Sequence, residues 1–525
     1  MHLEDAETPM KALDTFDDII VGAGSAGIPL AARLSADPTR RVALIEAGPD
    51  YPTPAETPGD LLDGNQMSLV EHDWKFTAGI RPDRTTRYYQ GKVAGGASAV
   101  GNTIALRALP GDFDEWAALG NTEWSWSKVL PHFMALENDL DFGGEFHGHD
   151  GPIPIRRWRP EELTPAQAMF FEGCLAAGIP LIDDHNHPSA TGVGAAPSNR
   201  RDVRGRVSTA SAYLPPIRSR ENLTIIADTS VSRLLVDGEG VRGVEVLSGS
   251  GTQELRARRV ILAAGAIGSP AIMLRSGIGP KDDLRRLGID VVRDLPGVGA
   301  GLHDQTRTAV FLVPKPGAEN FGAAMGQVVV RTAAPSTGRE NDMYYALVNH
   351  FDLATQFPHM REAAGAGRVF SVLVVAREPS SRGSVTLAST DPRVAPRIDL
   401  NFLATERDQQ LLVDGVRVGW ELSQSSKLRD LAERVVVLNN SLIDDDEAVR
   451  DYVRTTVDPA YNPVGTTRMG AADDPLAVVD QRCAVHGVDG LYVSDASIMP
   501  TMVRANIGLT TIMIGERVAE LLRDV

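Results

Sequence analysis

The hydrophobic pattern of this chain changes period close to its start, and the change marks its first structural unit. Asp17 to Val21 is a short apolar run of strand type, Gly22-Ala23-Gly24-Ser25-Ala26-Gly27 interrupts it, and an amphipathic stretch continues to Leu34. A second apolar run, Val42 to Ile45, ends at Glu46. Together they predict a β-α-β unit. Three later runs, Leu223 to Ala227, Val231 to Val236 and Val241 to Leu247, are separated by turn residues such as Asp237-Gly238 and predict a β-meander. Arg259 to Leu262 reads as a strand entering another glycine-rich turn, Gly490 to Ala496 as one more strand, and Ile507 to Leu522 as a helix. No fixed-period repeat or low-complexity tract interrupts this order, so the pattern predicts an α/β fold.

The first unit carries chemistry as well as structure. Gly22 permits a tight turn, Gly24 lets the backbone approach a pyrophosphate, and Gly27 lets the helix pack closely on the strand. Ser25 and Ala26 open that helix, whose free N–H groups favour phosphate. Glu46, with Ala47 behind it, stands roughly 20 residues on, where a carboxylate accepts both hydroxyls of an unphosphorylated ribose. This fits FAD or NAD. A second glycine-rich stretch contains Gly95, Gly96, Ser98, Gly101 and Asn102, and a third begins at Ala264, so several small-residue segments serve one extended ligand.

Composition narrows the setting. The chain has 525 residues, 43% hydrophobic and 23% charged, enough for a large core and two domains. Its net charge of −17 and lack of Lys/Arg runs disfavour nucleic acid and anionic membrane surfaces. Cys174 and Cys483 have neither disulfide-framework nor metal-ligand spacing, and Met1 to Glu7 lack the features of a signal peptide. No apolar run reaches membrane-spanning length, and a cytoplasmic protein is expected. His147, His149, His185 and His187, with Asp183 and Asp184, look superficially like a metal site. Their spacing is not helical, and the reading is solvated loops with no metal.

The glycine pattern, together with Gly265-Ala266-Ile267-Gly268-Ser269-Pro270 through Ser276-Gly277-Ile278-Gly279-Pro280 and a less complete match over Gly91 to Asp114, resembles the glucose-methanol-choline (GMC) family of FAD-dependent oxidoreductases. The resemblance implies a Rossmann-like FAD-binding domain with a β-meander, built from 14–155, 216–308 and 463–525. An α+β substrate domain, 156–215 and 309–462, is interleaved with it. It implies that Val231 meets the adenine, that Asp495 and Ala496 lie beside the pyrophosphate and ribityl chain, and that Asn102 faces the flavin. The interval from Gly59 to Tyr89 would be a covering loop. Val100 falls where some relatives tether the flavin through His, so a non-covalent FAD is expected.

The resemblance also implies two departures. Asn462, in Asn462-Pro463-Val464-Gly465-Thr466, stands where the family keeps a catalytic His, and Gly508 where it keeps His or Asn. An amide takes no proton at neutral pH. Tyr461, His303 and His350 are the remaining candidates for a base, Asn506 anchors the Gly508 segment, and Arg504 is a candidate clamp for a carboxylate. The function implied is hydride removal from a small organic substrate, an alcohol or activated C–H, at flavin N5 with an altered proton site. The alternative is a lyase or light-driven decarboxylase on the same scaffold. The electron acceptor stays open.

Overall fold

The computed structural model describes residues 15–238 and 240–523. The acidic segment Met1 to Glu7 and the outermost expected domain limits, 14 and 525, lie outside the described residues. A parallel sheet runs in the order Leu223–Ile226, Val42–Ile45, Thr15–Val21, Gly251–Leu262 and Leu491–Val493. Its central strands are apolar on both sides because both faces are covered, and Ile19, Ile20, Ala43, Leu44, Val260 and Ile261 are fully buried. Gly251–Leu262 is the strand at which this one seven-stranded sheet changes from parallel to antiparallel. Its C-terminal half pairs with Thr15–Val21, while its N-terminal half pairs antiparallel with Gly240–Ser248, which in turn pairs with Ser230–Asp237. The meander is therefore 230–262. Leu223–Ile226, expected as its first strand, joins the parallel sheet instead, because left-handed Asp228 (φ 49°) redirects the chain after it.

A second, antiparallel sheet is built from Thr306–Pro314, Arg368–Ala376, Met343–Asp352, Val328–Thr332 and Gly192–Ala195. The helix Glu406–Ser423 lies across it with Leu411, Leu412 and Val416 buried. Each such side chain contributes roughly 1.5–3 kcal/mol by leaving water. The interval expected as a covering loop is ordered differently. Phe76–Arg81 and Arg84–Tyr88 form a hairpin that joins Arg397–Asp399, Gly383–Thr386 and Ala300–Leu302 in one sheet. Phe76, Ala78 and Ile80 alternate inward, a period-two signal that the turn residues around it obscure.

The histidine-rich segment is solvated only in part: His149, Asp183 and His187 are exposed, as expected, but His147, Asp184 and His185 are buried. His147 and Asp184 are buried with Glu137, Asp139, Arg107 and Arg157. Arg107 meets Glu137 at 2.6 Å, Arg157 meets Asp139 and Asp184 at 2.5 Å, and His147 lies 3.0 Å from both Asp139 and Asp184. Glu137, Asp139 and His147 are close enough together to ligate an ion. The arginines already neutralise the carboxylates, so the group works as an ion-pair cage closing the 137–184 region. Burial pulls the His147 imidazole down, but the surrounding carboxylates of Asp139, Asp184 and Glu137 outweigh this and push it up to about 10. Its folded value thus exceeds the ordinary 6.5, so its stabilisation is complete below about pH 6.5 and is lost as pH rises through about 10. Thermal melts should fall over that alkaline window, and His147→Gln should flatten the fall; Arg157→Leu should cost about 3–5 kcal/mol at neutral pH.

Candidate active site

The parallel strands end together at Val21, Ile45, Leu262 and Val493, the edge where open α/β sheets bind their ligands. Three small-residue turns converge there. Gly22 has φ +107°, and a Cβ on it would lie 2.4 Å from the Ala263 carbonyl oxygen. A Cβ on Gly27 would lie 1.9 Å from the Gly22 carbonyl, so the helix can start only from glycine. Gly24 differs. Its Cβ would meet nothing nearer than the Gly96 Cα at 4.0 Å, leaving its half-exposed face open for a ligand. The second turn is held against the first by the Gly95 N–H donating to Ala23 (2.7 Å) and by Ser98 and Thr209 hydroxyls 3.0 Å apart.

Glu46 is buried at the end of its strand and accepts the Ala23 and Gly48 N–H groups at 3.0 and 2.9 Å, one on each oxygen. Each oxygen keeps a lone pair for a ribose hydroxyl. Thr229 donates to the Glu46 carbonyl, which brings Val231 and the start of the meander to this end of the trough, beside half-exposed Ala47. Ser25, Gly101, Ala264 and exposed Asn102 line the same edge, and no side-chain hydrogen bond occupies Ser25 or Asn102. The Asp495 carboxylate accepts four bonds, from the Gly265 N–H, the Ser269 hydroxyl and both the N–H and hydroxyl of Ser497. It is saturated and organises the third turn, so only the backbone of Asp495 and Ala496 is left for a ligand. Together these residues fit an extended dinucleotide.

The third turn is tied to the segment that carries Asn462, because the Gly465 N–H donates to the Ala496 carbonyl and the Thr466 hydroxyl to the Ala266 carbonyl. Residues 303–305 run against 460–464, with His303 and Val464 exchanging backbone bonds at 3.0 and 2.8 Å, and this sets Gln305 beside Asn462. The Asn462 backbone N–H donates to Asp304 at 2.8 Å, and its amide nitrogen donates to Gln305 Oε1 at 2.9 Å. Arg377 donates to the same Gln305 oxygen at 2.6 Å and to Asn506 Oδ1 at 3.0 Å. Gln305 Nε2 donates onward to the Val503 and Ala505 carbonyls. The structure therefore joins Asn462 to Asn506 through two residues that sequence reasoning missed. Gln305 lies two residues after His303, a candidate base in the sequence, but no local pattern marks either Gln305 or Arg377.

The other expected residues are placed apart from this network. Gly508 begins the final helix, Gly508–Leu521, and is exposed; a Cβ there would meet nothing within 4 Å. Tyr461 turns its ring toward Tyr88, Tyr89 and Arg307, and burial followed by the Asp458 charge holds its phenol well above the ordinary value, which keeps it protonated at neutral pH. Arg504 is committed to buried Asp112 (2.6 Å) and cannot serve as a free carboxylate clamp. His303 is buried against the Pro379 carbonyl and Arg382, and burial lowers its imidazole to about 3. His350 bonds the Ala323 carbonyl at 3.1 Å. No histidine side chain among the described residues hydrogen-bonds Asn462, Gln305, Arg377 or Asn506.

A Rossmann-type sheet with a buried carboxylate at a strand end, a glycine cradle and a polar network beside a second sheet is an arrangement that suits a flavoprotein oxidoreductase. The chain belongs to the GMC oxidoreductase family, matching it over residues 16–307 and 379–515, and is an FAD-dependent enzyme of that family. It is 37% identical to 5-(hydroxymethyl)furfural oxidase of Methylovorus sp. (strain MP688), over 96% of this chain and 98% of that protein. It is 34% identical to the oxygen-dependent choline dehydrogenase of Pectobacterium atrosepticum, over 97% and 94%. Among solved structures, pyridoxine 4-oxidase from Mesorbium loti superposes with a TM-score of 0.89 at 30% identity, covering 97% of this chain and 100% of that one. No described helix is long and apolar enough to cross a membrane.

The cradle makes a paired prediction. Gly22→Ala should cost more than about 1 kcal/mol, because it forces alanine into a left-handed backbone as well as a clash, and should lose flavin with stability. Gly24→Ala should keep the melting temperature of the flavin-free protein yet purify with a much lower flavin-to-protein absorbance ratio.

Proposed function

We propose that the enzyme oxidises a small organic alcohol, with FAD held non-covalently and with amides in place of an imidazole at the proton site. When bound, FAD supplies the acceptor for the hydride leaving the substrate carbon. The chain's own residues do the rest. Gly22, Gly24, Gly27 and Glu46 bind the adenosine diphosphate half, and Gly95 to Asn102 line the ring. Val100 offers only an isopropyl group, with no nucleophile for a covalent link.

The observation that carries the reading is the amide pair. Asn462 and Asn506 are half-exposed, Asn462 held by Gln305 and Asn506 by Arg377, which also bonds Gln305. Asn462 orients the hydroxyl by hydrogen bonding but cannot retain its proton, which passes to water. Relatives named for hydroxymethylfurfural, choline and pyridoxine support an alcohol as substrate class. The decarboxylation alternative has lost its support at Arg504, which is paired to Asp112. A cytoplasmic location is in keeping with the composition.

In the dark and without oxygen, a suitable alcohol should bleach the bound flavin stoichiometrically; a flavin unresponsive to a broad panel of alcohols and aldehydes would sink the proposal. Asn462→His should add an ionisation limb to the bleaching rate that Asn462→Gln lacks. Acid precipitation should leave all the FAD in the supernatant; yellow colour retained in the pellet would contradict non-covalent binding.

A further inference from the structure

Arg377 is buried to 1% exposure at the end of the strand Arg368–Ala376. Its guanidinium lies 4.1 Å over the Tyr344 ring and donates only to two neutral amide oxygens, on Gln305 and Asn506. Its Nε–H has no partner. The neighbouring carboxylates are committed elsewhere, Glu378 to Arg339 and Asp112 to Arg504. The charged or titratable groups that face Arg377 are Tyr344 and a second cation, Arg331, which itself donates only to the His185 and Arg504 carbonyls. A buried charge without a counter-charge is rare, because it loses its hydration for no electrostatic return.

The same guanidinium fixes the direction of every bond around it. It only donates, so the atoms facing it on Gln305 and Asn506 must be oxygens. The Gln305 nitrogen faces two carbonyls, which confirms its orientation. Asn462 meets the Gln305 oxygen and must present its nitrogen there. The free ends toward the trough follow: Asn462 offers Oδ1, an acceptor, and Asn506 offers Nδ2, a donor.

We propose that Arg377 is a positioning residue of the oxidation site, holding Asn462 as acceptor for the substrate hydroxyl proton and Asn506 as donor to its oxygen, while its unbalanced charge stabilises the negative charge that the oxygen gains as the proton leaves. This rests on the alcohol-oxidation reading. The O–H bond breaks and its proton passes to water. The C–H bond breaks with its electron pair leaving as hydride to the flavin, and the substrate is oxidised by two electrons to a carbonyl. The charge of Arg377 thereby replaces part of what a general base supplies.

Two measurements on the holoenzyme decide the matter. The first is the pH dependence of kcat and of kcat/KM with an alcohol that bleaches the native flavin. Arg377→Met should lower kcat at pH 7 by about 100-fold or more and move the ionisation of the bound alcohol at least about one pH unit upward. Arg377→Lys keeps the charge but loses the fork, and should hold that limb in place while raising KM. Asp304, the other titratable group against Asn462, is pushed up to about 7 by burial, and Asp304→Asn identifies its separate limb. A native limb and native kcat in Arg377→Met would overturn the proposal.

The second measurement needs neither turnover nor a folded Met variant. Acetate and its neutral isostere acetamide are titrated into the oxidised native enzyme and followed by the flavin absorbance difference. Acetate should bind at least about 10-fold tighter, as an unbalanced cation requires. Equal affinity would overturn the proposal, including the case in which the charge serves the flavin alone. If no alcohol bleaches the native flavin, the oxidation reading fails, and the acetate comparison still reports on Arg377.

Discussion

Backbone approaching backbone at Gly22 is the constraint on which the rest of the molecule depends. The turn after Thr15–Val21 must pass the Ala263 carbonyl with no Cβ between them, and the next helix must leave from directly above the Gly22 carbonyl. Only with both contacts made do the first and third turns share one edge. Asp495 then closes that edge, because its four hydrogen bonds tie the start of the helix Gly265–Arg275 to the segment that leads to the last helix. The trough, the network at Asn462 and the position of Asn506 all inherit their geometry from this meeting of main chains.

Charge is handled in two opposite ways on either side of that trough. In the 137–184 cage, carboxylates, arginines and His147 are buried together and balance one another, so their desolvation is offset locally. Near Asn506, Arg377 is buried without such balance, while Arg331 makes no direct ion pair among the described residues and feels Asp112 and Glu340 only through space. Their charge is met by carbonyl and amide dipoles, which soften the penalty without cancelling it. The first arrangement serves the fold alone. The second leaves an electrostatic imbalance beside Asn506 and the network that reaches Asn462.

What could be read from sequence was whatever a strict local rule imposes. The strand Val42–Ile45, the glycines at 22 and 27 and the final helix from about 507 were legible because steric limits or periodicity leave few alternatives. The hairpin Phe76–Tyr88 was read as loop because its partners, at 383–399, are remote in the chain. Leu223–Ile226 was grouped with the strands that follow it, although its partner lies far upstream at 42–45. Arg504 was read as a free cation because Asp112 is nearly four hundred residues away. Gln305 and Arg377 belong to the site through pairings of the same distant kind, and neither obeys a local pattern.

Asn462 is mounted by its main chain. Its N–H is gripped by Asp304, the preceding Tyr461 is fixed in a left-handed conformation at φ 61° with its ring packed among Tyr88, Tyr89 and Arg307, and Pro463 follows. None of these supports involves the Asn462 side chain. The position behaves as a socket: the backbone sets where a functional group is delivered, while the group itself can be exchanged without moving the walls. A fold built in this way can change its proton chemistry by one residue and leave its redox apparatus undisturbed.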